Sequence, residues 1–64
     1  MTNLRKLRKA AGLTQAELAA EAKTLSKVIS RFETGERSIN IATLIMAARI
    51  AKALGVHAED LIDD

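Results

Sequence analysis

Four side chains between residues 26 and 31 carry hydroxyl or basic groups at a spacing that places them on one face of a helix. They are Ser26, Lys27, Ser30 and Arg31, at positions i, i+1, i+4 and i+5. Arginine and lysine donate hydrogen bonds to guanine O6 and N7, and serine hydroxyls bond to several base edges. The segment therefore predicts a helix whose free face reads nucleic-acid bases.

Residue types suited to other chemistry are scarce in this chain. It has 64 residues, no cysteine and a single histidine, His57. One histidine cannot build a metal centre by itself, and the sequence has no glycine-rich loop of the kind that holds phosphate groups. We therefore expect no enzymatic activity, no metal ion and no cofactor, and we interpret His57 as a surface or helix-capping residue.

Three glycines mark the ends of predicted helices, because each follows an apolar pattern of helical period. These glycines are Gly12, Gly35 and Gly55. Glycine suits the left-handed conformation with which many helices end. Leu4, Leu7 and Ala11 have the spacing of one buried face, so the first helix is predicted at about residues 2–11.

Two short helices are predicted between Thr14 and Gly35. Thr14 and Glu17 have the spacing of a capping box, so the second helix begins at Gln15. Its predicted buried residues are Leu18, Ala19 and Ala22. The third helix is predicted from about residues 24–26 to Thr34, with Ile29 and Phe32 as its buried anchors.

The fourth predicted helix is the most apolar segment, at residues 41–54, with Asn40 as its cap. We expect it to form the centre of the core through a stripe of Ile41, Leu44, Ile45, Ala48, Ala51 and Leu54. A fifth helix is predicted at about residues 58–62, after Val56. The sequence has no alternating, strand-like runs, so the predicted fold class is all-α.

Basic residues are concentrated in the N-terminal part of the chain, although the net charge is only +2. Residues 1–37 hold eight basic and four acidic residues, giving +4, and the remainder holds two basic and four acidic residues, giving −2. The N-terminal part should attract polyanions. No apolar run reaches the roughly 20 residues of a membrane span. Because cysteine is absent, we expect a cytoplasmic protein in a reducing compartment, with no membrane contact.

Three stretches of the sequence together resemble the Cro/C1 repressor (XRE-like) type of helix-turn-helix domain found in bacterial and phage regulators. They are residues 4–19 (LRKLRKAAGLTQAELA), residues 29–37 (ISRFETGER) and residues 50–56 (IAKALGV), which stand ahead of residues 59–61 (EDL). The resemblance implies a single five-helix, lambda-repressor-like domain over residues 1–64, with the helix-turn-helix at about residues 14–35. It also implies a transcriptional regulator that places its third helix in the major groove of a (pseudo)palindromic operator.

The resemblance implies further site residues outside the third helix. The candidates for contact with DNA phosphates are Thr14, Gln15, Thr24, Arg37 and Ser38. Helix capping is the alternative role for Thr14 and Thr24. Arg8 and Glu33 resemble the family's ion pair, which links the first helix to the end of the third and has a structural role.

The sequence departs from the family pattern in two places. Lys23 stands where the family usually has a glycine, and Leu25 stands where it usually has a hydroxyl cap. We therefore expect a strained or shifted turn, capped by Thr24 or Ser26. The segment between the second and third glycines is longer than usual and lacks a loop proline, which predicts either a longer fourth helix or a different loop after Ser38.

We expect a homodimer, because one recognition helix covers few base pairs and two copies read half-sites about 34–36 Å apart. The expected seam contains Val56, Leu61 and Ile62. One alternative is an antitoxin that binds a toxin and regulates its own promoter through DNA. A larger exposed apolar patch than a dimer needs would favour it. A second alternative is a restriction-modification controller. If the regulator activates transcription, RNA polymerase is its expected protein partner.

Overall fold

The computed structural model describes residues 1–63, which form four α-helices and two short 3-10 turns without any β-strand. The helices are α1 (Asn3–Ala10), α2 (Gln15–Glu21), α3 (Ser26–Thr34) and α4 (Leu44–Leu54), and the 3-10 turns span Ile39–Ile41 and Ala58–Leu61. The five largest of the fully buried side chains form the centre of the core: Leu4, Leu18, Ile29, Ile50 and Leu61. The predicted all-α fold class is confirmed.

Local capping signals determine where the first two helices begin. The Thr2 hydroxyl caps α1. At α2, the Thr14 hydroxyl accepts a hydrogen bond from the Glu17 N–H at 3.0 Å, and the Glu17 carboxylate accepts one from the Thr14 N–H at 2.9 Å. Hydrogen bonds to the Glu17 carboxylate from the Thr14 backbone N–H and from the Thr14 side chain hold the pKa of Glu17 below its ordinary value. The predicted capping box and the predicted first residue of α2 are both confirmed.

The turn between α2 and α3 is strained at Lys23, as expected from the missing glycine. Lys23 has a φ of 59°, in the left-handed region, where a residue with a Cβ is disfavoured by roughly 1–2 kcal/mol. The expectation that Thr24 or Ser26 caps α3 is wrong. Leu25 is the residue before the helix, and it makes no side-chain capping bond, so this cap is left to the backbone alone.

The predicted start of the fourth helix is also wrong. The cap of α4 is the Thr43 hydroxyl, which accepts from the Met46 N–H at 3.1 Å, and Asn40 lies inside the preceding 3-10 turn. That turn buries Ile39 in the core and leaves Ile41 exposed. The additional residues after α3 therefore form a packed loop, the second of the two expected outcomes, and not a longer helix.

The buried face of α4 differs from the predicted stripe. Its buried residues are Ile50 and Ala51, whereas four members of the stripe are exposed: Ile41, Leu44, Ile45 and Ala48. Nine of the eleven residues of α4 are apolar, so apolar spacing alone does not select one face. The charged residues mark the solvent side, because Arg49 and Lys52 lie one helical turn after Ile45 and Ala48.

The predicted fifth helix is a single 3-10 turn that ends at Leu61. The chain after it is held in an extended form by two asparagines. The Asn3 side chain donates to the Ile62 carbonyl at 2.7 Å, and the Asn40 side chain donates to the Asp63 carbonyl at 2.7 Å. Leu61 is only 1% exposed. It therefore belongs to the core, and its predicted place on a dimer seam is wrong.

Candidate nucleic-acid interface

The two faces of α3 differ sharply in burial. Ile29 and Phe32 lie in the core and hold one face of the helix against the rest of the protein. On the opposite face, three of the predicted base-reading side chains are exposed and Ser30 is half-buried; the exposed ones are Ser26, Lys27 and Arg31. α3 thus presents one continuous strip of hydroxyl and cationic groups to solvent.

Arg31 has one acidic neighbour near the end of α3. Its Nε lies 3.6 Å from Glu36 Oε2, and both side chains are more than half exposed. An exposed pair of this length contributes little to stability and exchanges readily with water. The Arg31 guanidinium is therefore available to an incoming acceptor. The backbone carbonyl of Arg31 accepts a hydrogen bond from the Arg37 N–H at 3.1 Å, and this bond closes the C-terminal end of α3.

A buried ion pair fixes the far end of α3 to α1. Arg8 Nε lies 2.6 Å from Glu33 Oε2, and Arg8 Nη2 donates to Glu33 Oε1 at 3.0 Å. Arg8 Nη1 also donates to the Leu13 carbonyl at 2.8 Å, and Gln15 Nε2 donates to Glu33 Oε1 at 3.1 Å. One network therefore joins α1, the start of α2 and the end of α3.

The electrostatics of this network follow from burial and hydrogen bonding. Burial raises the pKa of Glu33, but the hydrogen bonds from Arg8 and Gln15, together with the charges of Arg8 and Arg5, lower the pKa more strongly. The net result is a pKa below the ordinary value. The hydrogen bond to Glu33 raises the pKa of Arg8. Both groups are therefore ionised at neutral pH, and the pair is a fixed structural element.

The five candidates for phosphate contact lie at three places around α3. Thr14 and Gln15 begin α2, Thr24 is half-buried in the turn, and Arg37 and Ser38 are exposed after α3. The Thr14 hydroxyl is already engaged within the capping box, because it accepts from the Glu17 N–H and also bonds the Glu17 carboxylate. The Gln15 side-chain amide donates one hydrogen bond to Glu33 and keeps a second N–H, and the Gln15 backbone N–H, in the first turn of α2, has no partner within the helix. The Ser38 hydroxyl accepts from the Asn40 N–H at 3.2 Å.

Two exposed cations on α1 lie outside the predicted set of site residues. Arg5 and Lys9 are exposed and one helical turn apart on α1, next to Arg8. The charge of Arg5 helps to lower the pKa of Glu33, although less than the hydrogen bonds from Arg8 and Gln15 do, so Arg5 lies on the side of α1 that faces Glu33. Lys6 lines a recess together with Met1 and Asp63. The spacing of Arg5 and Lys9 about Arg8 was the signal that could have identified them.

Two other types of site are not seen in the described part of the chain. Residues 1–63 contain no group of three or more histidine, cysteine, aspartate or glutamate side chains placed to hold a metal ion. Within the same range, each helix is too short or too polar to cross a membrane.

Comparison with known proteins identifies the class to which this small helical protein belongs. The family model described as "Helix-turn-helix" matches residues 4–61. Because the match covers most of the 64 residues, the chain belongs to this family of DNA-binding domains, of the Cro/C1 type. No curated protein and no solved structure matches the chain.

Proposed function

We propose that this protein is a sequence-specific transcriptional regulator that occupies a (pseudo)palindromic operator. In this proposal α2 and α3 are the helix-turn-helix, and α3 lies in the major groove. The observation that carries the proposal is the exposed strip on α3. Lys27 and Arg31 are exposed to solvent, while Ile29 and Phe32 hold the opposite face in the core. The buried pair at the end of the helix supports it, because it fixes the rotation of α3.

The base-reading and phosphate-binding roles divide between different elements. We assign base reading to α3, with Arg31 and Lys27 donating to guanine, and Ser26 and Ser30 discriminating less. We assign phosphate contacts to the residues around α3, which orient the domain without reading sequence. These residues are Thr14, Gln15, Thr24, Arg37 and Ser38, and we add Arg5 and Lys9 because they are exposed cations on α1.

The regulatory outcome depends on the position of the operator. A protein bound over a promoter blocks polymerase, and one bound beside it is placed to recruit polymerase. We propose that the protein acts in the cytoplasm as a homodimer, because a palindromic site presents two equivalent half-sites. The antitoxin and controller alternatives share the fold and differ in the protein partner or the promoter. The identity of the neighbouring genes and the DNA sequence that the protein selects would distinguish these alternatives from the proposed function.

The test compares two arginines that the proposal assigns to different roles. A duplex selected from a random-sequence library serves as the specific probe, and a shuffled duplex serves as the non-specific one. Arg31→Ala should reduce affinity for the selected duplex by about 5- to 150-fold for each half-site, the equivalent of about 1–3 kcal/mol per contact, with a smaller effect on the shuffled duplex. Arg37→Ala should weaken both alike and flatten the salt dependence. Equal losses on both duplexes for Arg31→Ala would contradict its assignment to base reading.

A further inference from the structure

An acidic side chain lies beside the exposed strip on α3. Residues 1–37 contain four acidic residues, and two of them hold the fold together: Glu17 caps α2, and Glu33 lies in the buried network. Glu36 has neither task. Its side chain is 69% exposed, and its ion pair within residues 1–63 is the one with Arg31. The structure thus places a carboxylate next to a cation that we assign to base reading.

The backbone at the end of α3 brings Glu36 back beside Arg31. Gly35 has a φ of 83°, and this left-handed conformation ends the helix and reverses the chain. The Thr34 hydroxyl donates to the Arg31 carbonyl at 3.2 Å and accepts from the Glu36 N–H at 3.4 Å. The Arg31 carbonyl also accepts from the Arg37 N–H. These bonds fix the backbone of Glu36 relative to that of Arg31, although both side chains are exposed.

The carboxylate approaches one particular nitrogen of the Arg31 side chain. Glu36 Oε2 lies 3.6 Å from Arg31 Nε, which is longer than a hydrogen bond but close enough for attraction between opposite charges. A guanidinium also carries N–H donors on its terminal nitrogens, Nη1 and Nη2. Guanine offers O6 and N7 as acceptors in the major groove. A carboxylate that faces Nε therefore leaves both terminal nitrogens open for one guanine.

The same carboxylate opposes the attraction of the protein to DNA phosphates. Residues 1–37 carry a charge of +4, which would become +5 without Glu36. A negative charge beside the DNA-facing strip lowers affinity for every sequence alike. A group that weakens non-specific binding and also orients a base-reading arginine increases the difference in affinity between sequences.

We propose that Glu36 is a positioning residue that increases the preference of Arg31 for guanine. On DNA, the carboxylate closes on Arg31 Nε and restricts the rotation of the guanidinium, so that Nη1 and Nη2 meet O6 and N7. Arginine has a large rotamer entropy, and a partner that orients it reduces what is lost when the contact forms. The inference rests on the proposed function, because it requires Arg31 to read a base.

Competition binding with three duplexes tests the proposal. They are the selected duplex, the shuffled duplex, and a substituted duplex in which the guanine read by Arg31 is replaced in both half-sites. That guanine is located as the base whose preference Arg31→Ala loses. Glu36→Gln should bind the shuffled duplex about 2- to 5-fold more tightly for each bound copy, the scale of one exposed charge interaction. Its preference for the selected over the substituted duplex should fall by about 2- to 5-fold for each half-site.

Two matched variants separate positioning from simple charge repulsion. Glu36→Asp keeps the charge but shortens the side chain by one methylene, so the shuffled duplex should bind as it does to the wild type while the guanine preference falls. Glu21→Gln removes the same charge from another exposed acid, which lines a recess with Lys23 and Arg49 and not the strip on α3. It should leave the guanine preference unchanged. Circular dichroism checks that each variant is folded.

The guanine preference is the readout that a purely electrostatic or structural role would not change. An unchanged preference in Glu36→Gln, or an equal loss in Glu36→Gln and Glu21→Gln, would overturn the proposal. In the Arg31→Ala background, adding Glu36→Gln should alter no base preference, because the residue acts through Arg31. A further loss of base preference in the double variant would likewise contradict the assignment.

The failure of this inference and of the proposed function can be told apart. If the wild type selects no DNA sequence, the regulatory function fails and the positioning role fails with it. If the wild type selects a sequence and Arg31→Ala loses one guanine, but Glu36→Gln keeps the full preference for that guanine, the regulatory function stands and the positioning role is wrong.

Discussion

Neutralising Glu33 should destabilise the protein far more than neutralising a surface acid. The Glu33 carboxylate accepts two bonds from Arg8 and one from Gln15, and its side chain is only 3% exposed. Glu33→Gln keeps the shape of this side chain but removes its charge. The Arg8 guanidinium, with an 11% exposed side chain, then remains in the interior without a counter-charge.

The size of the effect follows from the burial of the pair. Removing one partner of a buried pair is destabilising by about 3–5 kcal/mol. The amide of the variant still offers one acceptor oxygen, so the lower end, about 3 kcal/mol, is expected. A chain of 64 residues has a total free energy of unfolding of roughly 3–10 kcal/mol. The variant should therefore lose a large fraction of its stability.

Urea unfolding followed by far-ultraviolet circular dichroism is the suitable assay, since the chain has no tryptophan or tyrosine. The control is Glu36→Gln, which removes the acid of the exposed pair with Arg31 and should change stability by less than about 1 kcal/mol. Replacing both Arg8 and Glu33 by methionine should recover much of the loss. Equal, small effects of Glu33→Gln and Glu36→Gln would refute the structural role of the network.

The same pair predicts a pH dependence of stability. The pKa of Glu33 is lower in the folded protein than in the unfolded chain, where it is about 4.3. Its contribution to stability is therefore fully present above the unfolded value and is lost as the pH falls through the folded value. Between neutral pH and the acid range, the wild type should lose more stability than Glu33→Gln. Parallel pH profiles for the two proteins would contradict this.

Three further substitutions test separate elements. Lys23→Gly should raise the free energy of unfolding by roughly 0.5–1 kcal/mol, because glycine adopts the φ of 59° found at this position without strain; a lower stability would contradict the strained turn. Thr14→Ala should lower the same quantity by about 1 kcal/mol in urea unfolding through loss of the α2 cap, and an unchanged midpoint would argue against it. Arg5→Ala should weaken binding to all duplexes and reduce the salt slope by about one for each bound copy, whereas Lys6→Ala, which removes a cation from the recess that contains Asp63, should have a smaller effect; equal slopes for the two variants would remove Arg5 from the interface.

The segment of residues 14–35 was predictable because its signals are local. The Thr14–Glu17 capping box and the left-handed Gly35 each act over a few residues, and both are present as predicted. The buried anchors Ile29 and Phe32 follow from helical period alone. The exposed face of α3 is then determined by rotation, so its surface was readable from the sequence.

The segment after α3 was less predictable because tertiary contacts decide its form. In α4, apolar residues occur on all sides, so the orientation of the helix depends on the 3-10 turn that buries Ile39. After the last turn, the Ile62 carbonyl accepts a hydrogen bond from Asn3, 59 residues away in sequence. The bond between Gln15 and Glu33 likewise joins residues 18 positions apart. No local pattern encodes such pairings.

The central claim is that the exposed strip on α3 determines which DNA sequence is bound. Parallel selections from one random duplex library, with the wild type, Arg31→Ala and Arg37→Ala, test it most directly. We expect the wild type and Arg37→Ala to recover the same palindromic sequence, and Arg31→Ala to lose the preference for one base pair in each half-site. Recovery of the same sequence by all three proteins, or of no preferred sequence by the wild type, would contradict the claim.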